Sequence, residues 1–423
     1  MNGSTFLCRQ MGVACVTIVS CAVLSLGMLG NAYAEDATAD ILKRLEKIER
    51  EAGNNSLVKK LGLSLYGYVE ASYTQNFKNP SSGANQMRSF DGDSNSFRPN
   101  MAQVVLEREA KSGGSMADRA GFRVKLDFGE DAKFTGGTTG FAGDPGEDFD
   151  FQEAFVQFIA PIGNGLTFQG GRMNTLIGYE VIESPFNPNF SRSFLFGMGE
   201  PFTVTGLRSS YDFSENIHFA VSAINSFTGA QVDTNSSKSV EALLAFSPME
   251  NVGMSVFGFW GPEGSRGQSN ADQVLFGGIF DVQVTEQAQV VVEGYYANQA
   301  HATGPGTPNS RWNGAAGYFI YDFTDKWGVR VRGEIFEDAG GTRSCAGGTA
   351  PGNGLGNALL CFAGFSGPQT LWESTWTLMY KPVPSLMTRL EFRYDKSDQN
   401  SFQNGVNAAN NQQTLAVDAI FLF

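Results

Sequence analysis

Basic residues recur in three short rows along the chain: Arg123 with Lys125, Arg330 with Arg332, and Arg389 with Arg393. On a β-strand, residues two or four apart share a face, so each row would project to one side. Acidic residues share those faces. Asp127 follows the first row, Glu334 follows the second, and Glu391 and Asp395 accompany the third. Rows of opposite charge around a wet passage orient dipolar solutes and filter ions. The bland alternative is that such charges keep a polar interior hydrated and pair across strands. Catalysis by a nucleophile needs a neighbouring base, usually histidine. Only His218 and His301 exist, and neither adjoins a Gly-x-Ser-x-Gly motif. No phosphate loop, zinc spacing or dinucleotide fingerprint occurs, so neither a cofactor nor a metal is expected.

The elements that position these rows must come from an unusual composition. The 423 residues include 51 Gly, 35 Phe and only 2 His, with a formal charge of −13. That acidic balance argues against a nucleic-acid partner. With 12% aromatic and only 17% charged residues, the chain is not disordered, and a large apolar surface must be covered by protein or by lipid.

The first 34 residues carry one charge, Arg9, then an apolar run from Met11 to Leu29 and the small-x-small ending Ala32, Tyr33, Ala34. This reads as a signal peptide over 1–34 cleaved after Ala34, with a retained membrane anchor as the alternative. Lipidation at Cys21 is disfavoured because the apolar run continues past it. Cleavage removes three of five cysteines and leaves Cys345 and Cys361, which an exported chain is expected to pair. Two thiols without nearby His are too few for a zinc site. Residues 35–60 form a short helix and linker, with Ile41, Leu45, Ile48 and Ala52 at helical spacing. So short a helix either packs on a neighbour or oligomerises. Beyond it no apolar stretch is long enough for a transmembrane helix, so any membrane embedding must come from strands.

From Leu61 the period changes to two. Phe122, Val124, Leu126 and Phe128 alternate with Arg123, Lys125 and Asp127; Val329, Val331 and Ile335 alternate with Arg330, Arg332 and Glu334. About sixteen such segments run from 62–75 to 411–423, long enough to cross a bilayer when tilted. Short turns and long polar loops alternate between them, which a soluble sandwich has no reason to do. The expected fold is all-β: a transmembrane antiparallel β-barrel over 61–423. The last strand closes on Phe421 and Phe423, a terminal aromatic pattern resembling the assembly signal of outer-membrane barrels. An even strand number puts both termini on the periplasmic side.

Gly171, Arg172, Gly178, Tyr179, Glu180, Asn187, Ser191, Ser193, Phe194, Pro201, Thr205 and Gly206 resemble the β-barrel porins described as OmpL-like. The opening Gly67, Tyr68, Val69, Glu70 is similar to that family too. The resemblance implies a pore in the outer membrane of a Gram-negative type bacterium, and it names no solute. The N-terminal helix is similar to the coiled-coil extension of some trimeric porins, which implies a homotrimer.

A barrel this wide cannot be filled by wall side chains alone, so a water channel is expected unless a loop narrows it. By position, the third long loop, 175–202, would form a constriction presenting Glu180, Glu183, Arg192 and Glu200, as in trimeric porins. The alternative is a surface loop packed over the mouth by Phe186, Phe190, Phe194 and Phe196. Arg172 shares parity with Leu166 and Phe168, so it belongs at the membrane boundary or beyond a bulge. Net charge favours cations while the basic rows favour anions, and local charges dominate because screening acts over ~8 Å. The expected function is passive diffusion of small hydrophilic solutes or ions, with lipid and the barrel assembly machinery as partners. A structural or adhesive barrel, and then an outer-membrane enzyme, stand as alternatives.

Overall fold

Period-two alternation makes every strand two-faced, and a sheet of such strands can hide its unpaired edges by closing on itself. The computed structural model is such a closed sheet of sixteen antiparallel strands. It describes residues 62–135, 148–227, 229, 233, 235, 237–264, 271–301, 308–345, 361, 365 and 367–423. The expected signal peptide and helix, 1–34 and 35–60, lie outside the described residues.

The strands are β1 (Ser64–Asn76), β2 (Ser96–Arg108), β3 (Ala120–Phe128), β4 (Phe149–Ala160), β5 (Leu166–Asn174), β6 (Thr203–Ser214), β7 (Ile217–Ile224) and β8 (Ser239–Met249). There follow β9 (Val252–Pro262), β10 (Asp272–Gln283), β11 (Ala288–Gln299), β12 (Ser310–Asp322), β13 (Trp327–Asp338), β14 (Gln369–Val383), β15 (Leu386–Ser397) and β16 (Asn411–Leu422). Each pairs with its sequence neighbours, and β1 closes the ring on β16 with Tyr68 opposite Leu422. The seam ends where Gly67 and Phe423 exchange backbone N–H to carbonyl bonds of 3.0 Å in both directions. A Cβ on Gly67 would lie 1.9 Å from the Gln103 carbonyl oxygen, so only glycine fits there.

The two faces separate as the pattern requires. Along β13, Arg330, Arg332 and Glu334 point inward and are buried, whereas Ile335 is exposed on the outside beside Trp372 of β14. Val156, Leu207, Val256, Trp260, Phe276 and Trp376 extend the outer apolar band around the barrel. Near the short turns Trp327 stacks on Tyr380 at 4.1 Å, and Tyr211 meets Phe213 at 5.0 Å. An apolar band edged by aromatics is the surface a barrel presents to lipid. Among the described residues no helix is long and apolar enough to cross a membrane.

Two features depart from the alternation. A two-stranded hairpin, Phe402–Asn404 with Asn407–Ala409, stands in the last long loop. The first long loop, expected to be merely polar, buries Met87, Arg88 and Phe90.

Candidate functional site

The loop 175–202 leaves β5 and returns to β6 with its ends tied, since the Thr175 N–H donates to the Phe202 carbonyl at 3.2 Å. Between these ends it runs inside the barrel. Leu176, Ile177, Ile182, Phe190, Phe194, Leu195, Phe196 and Met198 are all buried, and Phe194 and Phe196 belong to the same apolar cluster as Tyr295, Trp312 and Phe336 of the wall. A loop can enter an interior only if its backbone polar groups find partners there. The wall supplies them.

Glu391 accepts the N–H groups of Phe190 at 2.7 Å and Ser191 at 3.0 Å. Glu334 accepts those of Phe194 at 2.7 Å and Leu195 at 2.5 Å. Glu241 accepts the Leu176 N–H at 3.2 Å, and Glu293 accepts the Tyr179 N–H at 3.0 Å. The carbonyls are met by arginines. Arg389 donates to Ser184, Asn187 and Asn189 at 3.0–3.2 Å, Arg332 to Ser191 at 2.7 Å, and Arg393 to Arg192. Trp312 Nε1 and the Tyr295 hydroxyl bind the carbonyls of Gly199 and Leu195. Charged partners make the stronger hydrogen bonds, so the wall grips the loop chiefly through its ions.

The three arginines are themselves paired. Arg332 contacts Glu373 at 2.7 Å and the loop's Glu180 at 2.6 Å. Arg389 contacts Asp418 at 2.5 Å and Glu70 at 3.3 Å. Arg393 reaches Asp395 at 2.7 Å and Glu373 at 3.6 Å, and Asp395 also binds Arg88 of the first loop at 2.7 Å. Burial without such pairing would cost several kcal/mol per charge. On β2, β3 and β4, Arg123 pairs with Glu107 at 2.6 Å, and Lys125 bridges Glu153 and the loop's Glu183.

The remaining residues singled out by sequence fall in distinct places. Arg330 turns toward the short-turn end, where it binds Asp322 at 2.7 Å and lines a small cavity with Tyr179, Pro185, Phe186, Asn187 and Pro188 of the loop. Asp127 accepts from Gln103 at 2.9 Å and forms no ion pair with its row. Arg192 stays within the loop, donating to the carbonyls of Val181, Phe190 and Ile182 and lying 5.0 Å from the Phe90 ring centre. Burial raises the Glu183 carboxyl, but Lys125 outweighs that and holds it below the usual range. Burial, then Glu293, Glu180 and Glu334, push the Glu200 carboxyl well above that range. Cys345 and Cys361 are bonded, with Cα atoms 5.3 Å apart. Phe421 faces outward, half exposed, and Phe423 caps the seam with β1 through its backbone.

Arg172 is buried at the long-loop end, where it binds Asp150 at 2.6 Å and the carbonyls of Phe151 and Thr135. The register between β3 and β4 shifts nearby, between Lys125 and Leu126, and Gly171 takes a φ of +141°, which breaks the parity that made Arg172 a misfit. His218 binds Asp212 at 2.6 Å at the short-turn end of the wall. Among the described residues no group of three or more His, Cys, Asp or Glu is spaced to hold a metal.

Sequence reasoning missed Glu70, Arg88, Glu241, Glu293, Glu373 and Asp418. Parity places the five acids on inward faces, a signal that would have found them had single charges been weighted like rows. Arg88 lies in a loop and carries no periodic signal.

Comparison with known proteins matches residues 62–423 to a family described as "Putative beta-barrel porin-2, OmpL-like". No curated protein sequence matches the chain. Among solved structures it is similar to the outer membrane channel DcaP of Acinetobacter baumannii, with 12% identity, a TM-score of 0.53, and 85% of this chain and 97% of that one covered. The anion-selective porin from Comamonas acidovorans gives 10%, 0.54, and 85% and 99%. The trimer form of OmpT from Vibrio cholerae gives 10%, 0.50, and 85% and 99%. At these identities the likenesses establish the fold.

Proposed function

The chain belongs to the OmpL-like family of β-barrel porins, and on that footing we propose that it is an outer-membrane diffusion channel whose constriction is the loop 175–202. The observation that carries this reading is the double grip on the loop backbone, with Glu391 and Glu334 on N–H groups and Arg389 and Arg332 on carbonyls. A loop merely draped over a mouth would leave those groups to water.

The solutes are small hydrophilic molecules or ions. The short turns face the periplasm, and the long loops face outward. Arg332 on β13 and the basic row on β15 hold the loop, and because their charge is cancelled by Glu373, Asp418 and Asp395, they contribute little to ion selection. A trimeric assembly is the arrangement printed for one matched barrel, and we extend it to this chain.

One observation favours a second reading, a structural barrel: inward side chains such as Ser222, Glu241, Ser255 and Gln273 are buried, so the interior is closely filled. Single-channel current separates the two. Refolded protein in a planar bilayer should give stable ohmic steps, and shortening the loop between Pro185 and Met198 should enlarge them. Folded barrels without current in either form would favour the structural reading.

A further inference from the structure

Almost every buried charge in this interior has a partner. Glu200 does not: it is 1% exposed, and neither carboxylate oxygen has a hydrogen-bond partner among the described residues. Its carboxylate rests on Gly178, where a Cβ would lie 1.9 Å from Oε2 and where φ is +95°. The next residue, Tyr179, donates its N–H to Glu293 Oε1, and Glu293 Oε2 is also buried and unpartnered. The two carboxylates therefore meet on the Gly178–Tyr179 segment. Glu200 ends the loop and Gly178 begins it, so this meeting point is the loop's base.

Other groups around Glu200 do not neutralise it. Glu180 from the loop is bound to Arg332, and Glu334 from β13 accepts two loop N–H groups. The Tyr295 hydroxyl from β11 donates to Leu195, and Arg343 from the loop between β13 and β14 lies against Trp312, 3.6 Å from its ring centre. Two ionised carboxylates sharing a dry site repel strongly, and one proton removes that repulsion.

We propose that Glu200 and Glu293 form a proton-holding latch: one proton on the pair keeps both ends of the loop seated, and its release to solvent drives them apart and widens the passage. The raised pKa of Glu200 sets the sign. A carboxyl raised on folding favours the seated loop at low pH and loses that contribution as pH rises through its folded value. The loop is thus seated while the pair holds its proton and loosened as pH rises through the folded value.

This inference rests on the loop being the constriction, so two readouts are needed. The first is single-channel conductance of the full chain from about pH 5 to about pH 9, a range chosen to span a raised carboxyl pKa. Wild-type conductance should rise toward alkali, while Glu200→Gln and Glu293→Gln should stay at the low level. The second is the rate at which a charged thiol reagent labels Met198→Cys, a buried loop position. At about pH 9 labelling should be at least about tenfold faster with Glu200 present than with Glu200→Gln, the ratio worth one unit of pKa. The Glu200 charge raises the pKa of the nearby thiol and so slows labelling, which means that faster labelling with Glu200 present cannot come from thiol ionisation. Equal labelling in the two backgrounds would overturn the latch. A labelling difference without a conductance change would support the latch and overturn the loop as constriction. Glu293→Gln keeps the acceptor for Tyr179, so it serves if Glu200→Gln fails to fold.

Discussion

Arg332 Nη1 lies 2.6 Å from Glu180 Oε1 with both side chains fully buried, so a cation of the wall and an anion of the loop are locked together out of water. Such a contact weighs more when broken than when formed. Removing one partner of a buried pair costs about 3–5 kcal/mol, because the other charge is stranded. Arg332→Ala would strand Glu180, leave Glu373 with only the more distant Arg393 as a cation, and take a donor from the Ser191 carbonyl. Single-channel recording should show larger or noisier current steps in this variant. Arg330→Ala should change conductance less, because the hydrogen bonds of Arg330 run to Asp322 and to the Tyr321 and Val329 carbonyls near a turn. Equal effects from the two substitutions would refute the assignment of Arg332 to the loop.

Glu391→Gln tests the other half of the grip. Glu391 accepts Phe190 N–H on one oxygen and Ser191 N–H on the other. A glutamine has only one acceptor oxygen and sets its NH₂ against a second donor, an unmet buried hydrogen bond of about 1–3 kcal/mol. Hydrogen exchange at residues 190 and 191 should accelerate while exchange in β15 stays slow. Unchanged protection at both amides would show that the loop is held by other contacts.

How much of this could be read from the chain follows from the range of each interaction. Strand β13 announces itself because Arg330, Arg332 and Glu334 alternate with Val329, Val331 and Ile335, a pattern contained in seven residues. The seam of Phe423 with Gly67 follows from closure once the strand number is even. Glu180 and Arg332 stand 152 positions apart, and nothing local links them. The barrel's registers decide that Arg332 lies opposite Thr375, two residues from Glu373, and that Arg330 lies opposite Thr377, nearer the short turn. Arg88 was hidden for another reason: its loop enters the barrel with Met87 at a positive φ of 57°, a conformation that sequence alone does not signal.

The bond between Cys345 and Cys361 yields a prediction that leaves the barrel untouched. Both sulfurs are buried, and Gln369 at the start of β14 lies 2.8 Å from Cys345 Sγ. Joining these residues restricts the unfolded segment by about 3 kcal/mol in the chain-entropy account. Reduction should expose the segment between them to protease while the folded barrel stays intact on a gel. Two titratable thiols in protein purified under oxidising conditions would rule the bond out.

The end of the chain tests how the barrel closes. Phe423 gives and receives a backbone hydrogen bond with Gly67, and β16 pairs with β1 through nine residues from Tyr68 to Asn76. Deleting Phe423 removes both terminal bonds and leaves the Gly67 N–H and carbonyl without their strand partners at the lip of the sheet. The nine-residue ladder remains, so the closed barrel should still form, but the last step of closure loses its final contact. Because an open edge in lipid leaves backbone groups unsatisfied, insertion should slow before stability falls. Folding into lipid vesicles, followed by the gel shift between folded and heated protein, measures this directly. Phe423→Ala keeps the backbone bonds and should insert faster than the deletion. If the alanine variant is as slow as the deletion, the aromatic ring and not the seam governs assembly.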